Sequence, residues 1–110
     1  MPPAFRISRG TFPPERLEAV REAFAASRAS LDPATRRLRG HRATYTAVDA
    51  ASSSIVYISF WDDLEAAGQL GSLPEMQAAG AELVRLGVQF ERPVVSYGTL
   101  WSIGGIDRPG

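Results

Sequence analysis

Residues 54–70, SIVYISFWDDLEAAGQL, run from a β-branched and aromatic stretch into an acidic pair and an Ala-rich segment. From Ile55 to Trp61 the apolar residues fall on both parities: Val56, Ile58 and Phe60 on one, Tyr57 and Trp61 with Ser59 on the other. A strand of that kind has both faces covered. Asp62-x-x-Glu65 then has the form of a helix start, its carboxylates suited to free N–H groups and to the positive end of the dipole. The pair therefore reads as a cap before it reads as a catalytic dyad. Trp61, at the junction, reads as a ring wedged between strand and helix.

Working upstream, AFRISRGTF alternates Phe5 and Ile7 with Arg6 and Ser8, the period of a half-buried strand. Pro13 and Pro14 suit a first helical turn, and Leu17, Val20, Phe24 and Leu31 share one stripe while Glu15, Glu18, Arg21 and Glu22 face away. That predicts one amphipathic helix ending near Asp32-Pro33. ATRRLRGHR connects it, with Gly40 as turn residue, to a second strand over RATYTAV, and DAASSS makes the hairpin loop before Ile55.

Downstream, Ser72-Leu73-Pro74-Glu75 looks like a second capping box, opening a helix that carries Met76, Leu83 and Leu86. Gly71 separates two helical pieces, Gly87 closes the second, and RPVVSYGTLWSI supplies the last strand before a loose tail at 104–110. The order strand, helix, strand, strand, helix, strand predicts an α+β fold. It is the ferredoxin-like split βαβ arrangement, a four-stranded antiparallel sheet with both helices on one face. The other face then exposes apolar side chains of the third strand, and a second copy of the chain is the simplest cover.

Composition narrows the function classes. The 110 residues fit one domain spanning 1–110, and 45% apolar with 22% charged is ordinary for a globular protein. No run approaches a membrane span, and MPPAFRIS has no apolar core of a signal peptide, so the expectation is a cytoplasmic protein with no membrane partner. Twelve basic residues balance twelve acidic ones, which removes the broad electrostatic case for nucleic acid. Cysteine is absent, so disulfides, thiolate metal sites and cysteine nucleophiles are excluded. Every basic residue is Arg, and Lys and Asn are both missing. No nucleophilic triad, phosphate-cradling loop, dinucleotide fingerprint or metal-ligand spacing is present, so no cofactor and no metal are expected.

The Gly40-His41 entry to the second strand, VYISFWDDLEAA and LPEMQAAG together resemble the dimeric α/β barrel superfamily, and within it the antibiotic biosynthesis monooxygenase-like proteins. The resemblance spans nearly the whole chain. It implies two sheets facing each other as a homodimer with helices outside. Relatives include cofactor-free oxygenases of aromatic polyketides, haem-degrading oxygenases, isomerases, cyclases and proteins without known activity, so the fold does not choose the reaction. The haem-degrading branch carries an Asn-Arg pair on the first strand, a second Trp nine positions after the strand-ending Trp, and a His ligand ten beyond that. Here Ser8-Arg9, Leu70 and Gly80 stand in those places, so a haem-degrading oxygenase is not expected.

Two function hypotheses remain: a cofactor-independent monooxygenase-like enzyme acting on a small apolar, aromatic or polyketide-type metabolite, and a non-catalytic dimeric binding module with the same pocket. For either, Ser8, Tyr57 and Ser59 supply hydroxyls and Leu70, Met76 and Leu83 apolar wall. The catalytic candidates are His41, Tyr57 and Ser8. His41 is the sole histidine and titrates near neutrality, but at a strand start beside Arg42 it also reads as a rim residue. Tyr45 and Tyr97 can orient a phenol or simply pack. Trp101 reads as a final-strand aromatic packed on its own sheet or on a partner, and Arg36, Arg37, Arg39 and Arg42 as a solvated loop before an anion clamp.

Overall fold

In a computed structural model, which describes residues 2–104, the chain forms an antiparallel sheet with four helices packed on one face. Of the tail expected at 104–110, all but Gly104 lies outside the described residues. The strands are β1 (Ala4–Thr11), β2 (His41–Asp49), β3 (Ser54–Trp61), β4 (Gln89–Phe90) and β5 (Val95–Gly98). The helices are α1 (Leu17–Ala26), α2 (Arg28–Arg36), α3 (Leu64–Gly68) and α4 (Pro74–Arg85), with short 3₁₀ turns at Pro14–Arg16 and Gln69–Ser72. The order β2-β3-β1-β4, with β5 also on β1, is that of the ferredoxin-like fold.

The fourth row of the sheet is broken in two. β4 pairs Phe90 and Gln89 with Gly10 and Thr11, and β5 pairs Val95 through Gly98 with Ile7 through Ala4. Between them lies Arg92-Pro93, and a proline cannot donate to the ladder. The expectation of one strand running to Ile103 is corrected at its far end too. Thr99 N–H donates to Pro3 O at 2.8 Å, and β1 has no residue beyond Ala4 left to pair, so the chain leaves the sheet. Trp101 is consequently 76% exposed.

The helical boundaries also differ from the sequence expectations. The first helix bends at Ser27, whose hydroxyl donates to Phe24 O at 2.7 Å, and then runs through Pro33 to Arg36 instead of ending at Asp32-Pro33. Asp63, not Asp62, caps α3 by accepting from Ala66 N at 2.8 Å, while Asp62 pairs with Arg42 at 2.7 Å. The Ser72 box does not form: Leu73 stands at the N-cap of α4, and Ser72 donates instead to Gln69 O at 3.2 Å. The turn before β2 needs the left-handed backbone of Gly40, φ +76°, and Asp62 N–H donates to its carbonyl at 2.8 Å.

Two apolar clusters lie between sheet and helices. One holds Leu31, Trp61, Ala66, Ala67 and Leu70; the other Phe12, Val20, Ile55, Leu83 and Val88. Trp61 is 0% exposed and its indole N–H donates to Ser59 Oγ at 2.8 Å, so its polar handle is satisfied inside the core. Phe24 touches both clusters.

Candidate functional site

Along β1 the burial pattern is the reverse of what side-chain polarity suggests. Ala4, Arg6, Ser8 and Gly10 are buried under the helices, whereas Phe5 and Ile7 lie on the open face. Register fixes this. Arg6 pairs with Ser59 and Ser8 with Tyr57, and residues directly opposite across an antiparallel ladder share a face. β3 must send Trp61 and Tyr57 into the core, so its partner sends Arg6 and Ser8 the same way.

Those two polar residues open onto a cavity of about 460 Å³. Phe24, Leu31, Ile55, Tyr57 and Phe90 line it, together with Met76, Gly80 and Leu83 from α4. Arg6 is only 8% exposed, and its Nη1 meets no hydrogen-bond partner among the described residues. Its Nη2 end comes near Gly71, in the turn leading to α4. Desolvation is the main influence lowering the Arg6 pKa, and Arg92, at the cavity mouth, acts the same way. The guanidinium remains charged nonetheless.

The Tyr57 hydroxyl shares a 3.4 Å hydrogen bond with Thr35 Oγ1, either being the donor. Burial raises the phenol pKa, so Tyr57 keeps its proton at neutral pH. Ser8, Tyr57, Met76 and Leu83 are therefore brought together around one space. Ser59 and Leu70 are not: both are 0% exposed, Ser59 holding the Trp61 indole and Leu70 packed in the first core cluster.

His41 belongs to a second, polar groove between α2 and β2. Its Nε2 lies 2.7 Å from Thr44 Oγ1, and its ring meets Trp61 edge-on at 5.2 Å. Burial first, then the nearby Arg36, holds its pKa below the usual histidine value. Tyr57 reaches both spaces, but His41 does not line the apolar cavity. In the arginine-rich connection, Arg39 pairs with Asp63 at 3.5 Å and Glu65 at 3.2 Å, tying the start of β2 to α3.

Sequence reasoning missed Arg6, Phe24 and Arg92. Alternation suggested only that Arg6 and Phe5 take opposite faces; the signal that decides which goes inward is Trp61, through the β1–β3 register. Among the described residues no group of three or more His, Cys, Asp or Glu is placed to hold a metal ion, and no helix is long and apolar enough to cross a membrane. Gly80, on α4, has no side-chain donor atom.

No protein-family model matches the chain, and no curated protein does. Solved structures do match. A candidate antibiotic biosynthesis monooxygenase from Deinococcus radiodurans superposes with a TM-score of 0.70 at 18% identity, covering 92% of this chain and 96% of that one. These likenesses show the fold: the chain has the ferredoxin-like α+β fold of the structures it superposes on. SnoaB, a cofactor-independent oxygenase from Streptomyces nogalater, matches at a TM-score of 0.60 and 18% identity over 96% of this chain and 100% of its own. A dimeric protein of unknown function and ferredoxin-like fold from Bacteroides fragilis matches at 0.66 and 18% over 88% and 96%. The ferredoxin-like fold here carries a largely apolar cavity between sheet and helices, with polar groups supplied by β1 and β3.

Proposed function

We propose that this chain is a cofactor-independent monooxygenase-like enzyme whose substrate, an aromatic or polyketide-type metabolite, binds between Phe24, Tyr57, Met76 and Leu83. The observation that carries the reading is the cavity of about 460 Å³, apolar in its walls with a few convergent polar groups on β1 and β3. An electron-rich ring held there as its enolate reacts with dioxygen directly. A ring CH₂ becomes C=O, one atom of O₂ enters the product and the other leaves as water, and the four electrons come from the substrate. Tyr57, protonated through burial, and Ser8 donate hydrogen bonds to the enolate oxygen, and the apolar wall keeps bulk water from the carbanion.

The working form is a homodimer. Tyr97, Phe5, Phe60 and Tyr45 make a continuous row across the open face, with ring centroids 5.5, 6.0 and 6.1 Å apart. Tyr45 and Tyr97 are about half exposed, and a second sheet laid on this row removes them from water.

The test is incubation with a hydroxylated anthrone in air, following oxygen uptake and incorporation of labelled oxygen. One atom from O₂ in the product, at a rate well above the protein-free reaction, supports the enzyme. A protein-free rate contradicts it. One observation favours a second reading, a binding module: no carboxylate or histidine among the described residues lines the cavity to remove the first proton. Stoichiometric binding of the anthrone without turnover selects that reading.

A further inference from the structure

The mechanism above does not use the feature that is hardest to explain as packing. Arg6 stands in the middle of the sheet, on the face that carries Trp61 and Ile55, and a strand residue there is ordinarily apolar. Its aliphatic stem is well placed, but a guanidinium withdrawn from water needs a counter-charge or a full set of acceptors. The first core cluster and the cavity wall offer no carboxylate. Among the described residues lining the cavity there are two arginines, Arg6 and Arg92, and no Asp or Glu. The acidic side chains near this end of the molecule are engaged elsewhere: Asp63 and Glu65 with Arg39, and Asp62 with Arg42.

The Arg6 side chain also borders a space that could supply an acceptor. Nη1 is buried without a partner among the described residues, so a counter-charge for this guanidinium can come from what occupies the cavity. Arg92 adds a second positive charge at the mouth, its guanidinium carbon 5.7 Å from the Phe90 ring centroid. An apolar chamber with a fixed cation inside and another at its entrance selects a molecule with an apolar body and one anionic end. The planar, fork-like guanidinium matches a carboxylate, whose two oxygens accept a pair of parallel N–H bonds.

We infer that the natural ligand of this cavity is an organic acid, an aromatic or polyketide-type molecule whose ionised carboxylate seats on the Arg6 guanidinium. The inference rests on the cavity being the substrate site proposed above, and it adds the charge class that the site requires. The carboxylate anchors the molecule at β1. Ser8, and Tyr57 by giving up its long bond to Thr35, address a second oxygen, so binding and activation fall to different side chains.

The experiment compares 2-anthracenecarboxylate with its neutral carboxamide, titrated against the full-length protein by fluorescence at pH 7.5. The acid is expected to bind at least tenfold more tightly than the amide. Arg6→Met, which keeps the length and apolar stem, is expected to weaken the acid at least tenfold and leave the amide within about twofold, and Arg6→Lys to recover part of the preference. Equal binding of acid and amide by the unaltered protein overturns the inference without recourse to any variant. So does a failure of both probes to bind, or an acid preference that survives Arg6→Met in a protein whose thermal melt shows it folded. The outcomes separate from the oxygenase proposal. Acid-selective binding with no oxygen uptake from any anthrone leaves the charge class standing and removes the chemistry. Turnover of neutral and acidic anthrones with equal kcat/KM does the reverse.

Discussion

The two faces of the sheet carry opposite cargoes for their positions. Under the helices, where water is excluded, β1 places Arg6 and Ser8; on the open face, where water has access, it places Phe5 and Ile7 beside Phe60 and Ile58. Read as a monomer that arrangement is inside out. Under the two proposals each face is completed: the inner one by a ligand that matches Arg6, the outer one by a second sheet that covers the aromatic row. The inner face is also divided, with the Trp61 cluster at one end and the Val20 cluster at the other holding the cavity between them. On the proposed function, stability resides in the two clusters and function in the gap.

The largest effect is expected at the Trp61 end. Trp61→Ala is predicted to lower unfolding free energy by about 3 to 5 kcal/mol, as removal of a fully buried aromatic ring does, while Trp61→Phe retains the fold and ligand binding. Urea denaturation measures both. A Trp61→Phe protein with an unchanged midpoint but no ligand binding would move the functional boundary into the cluster.

The outer face is addressed next. Sedimentation is expected to give a dimer at micromolar concentration, through an interface in or above the standard class of roughly 1,200 to 2,000 Å². Phe60→Arg, placing a charge in the middle of the aromatic row, is predicted to weaken dimerisation at least a hundredfold, given that interior aromatics of an interface dominate its energy. A stable monomer for the unaltered chain would leave the exposed row unexplained.

A smaller change is expected at the boundary of the cavity. Tyr57→Phe removes a hydroxyl whose bond to Thr35 is long, 3.4 Å, so stability falls by less than about 1 kcal/mol. The same variant lowers anthrone turnover about tenfold or more through loss of the donor to the enolate oxygen. Equal turnover in the two proteins would take Tyr57 out of the chemistry.

The slightest effect belongs to His41, in the groove it shares with Arg28, Asp32, Arg36 and Arg42. Its folded pKa lies below the ordinary value, so the unfolded chain takes up the proton first. The stabilising difference is complete above about pH 6.5 and is lost as the pH falls through the lower folded value. The urea midpoint is therefore expected to drop between pH 7 and 5, and to drop less in His41→Gln. An identical pH slope in the variant would show that other groups carry it.

How much of this was legible in the chain depended on whether one residue's neighbours in sequence decide its environment. β3 was legible because its apolar residues occupy both parities, and the cover they require is itself a prediction of a layered fold. The core role of Trp61 followed from the same stretch. Arg6 was not legible, since alternation alone leaves the choice of face open and its burial is imposed by a partner strand about fifty residues away. The same limit applied to Ser59, which shares a parity with Tyr57 but is consumed by the Trp61 indole. Helix starts failed for a local reason: Asp62 and Asp63 are adjacent, and only the extended backbone of Asp63, φ −158° and ψ 175°, presents a carboxylate to Ala66 N–H. The end of the last strand was set by where β1 begins, a tertiary fact that Trp101 could not announce.

The division between stabilising clusters and functional gap is tested most directly at Gly80. It sits on α4 between Met76 and Leu83 at helical spacing and borders the cavity, and a Cβ built there meets nothing within 4 Å. Gly80→Phe fills the space with little demand on the surrounding packing, and replacing a glycine inside a helix favours the fold. The measurement is binding of 2-anthracenecarboxylate to this variant beside its thermal melt. The account predicts a melting temperature equal to or above that of the unaltered protein, an intact dimer, and affinity reduced at least tenfold. A well-folded Gly80→Phe protein that binds the probe as tightly as before would place the ligand site elsewhere and contradict the account.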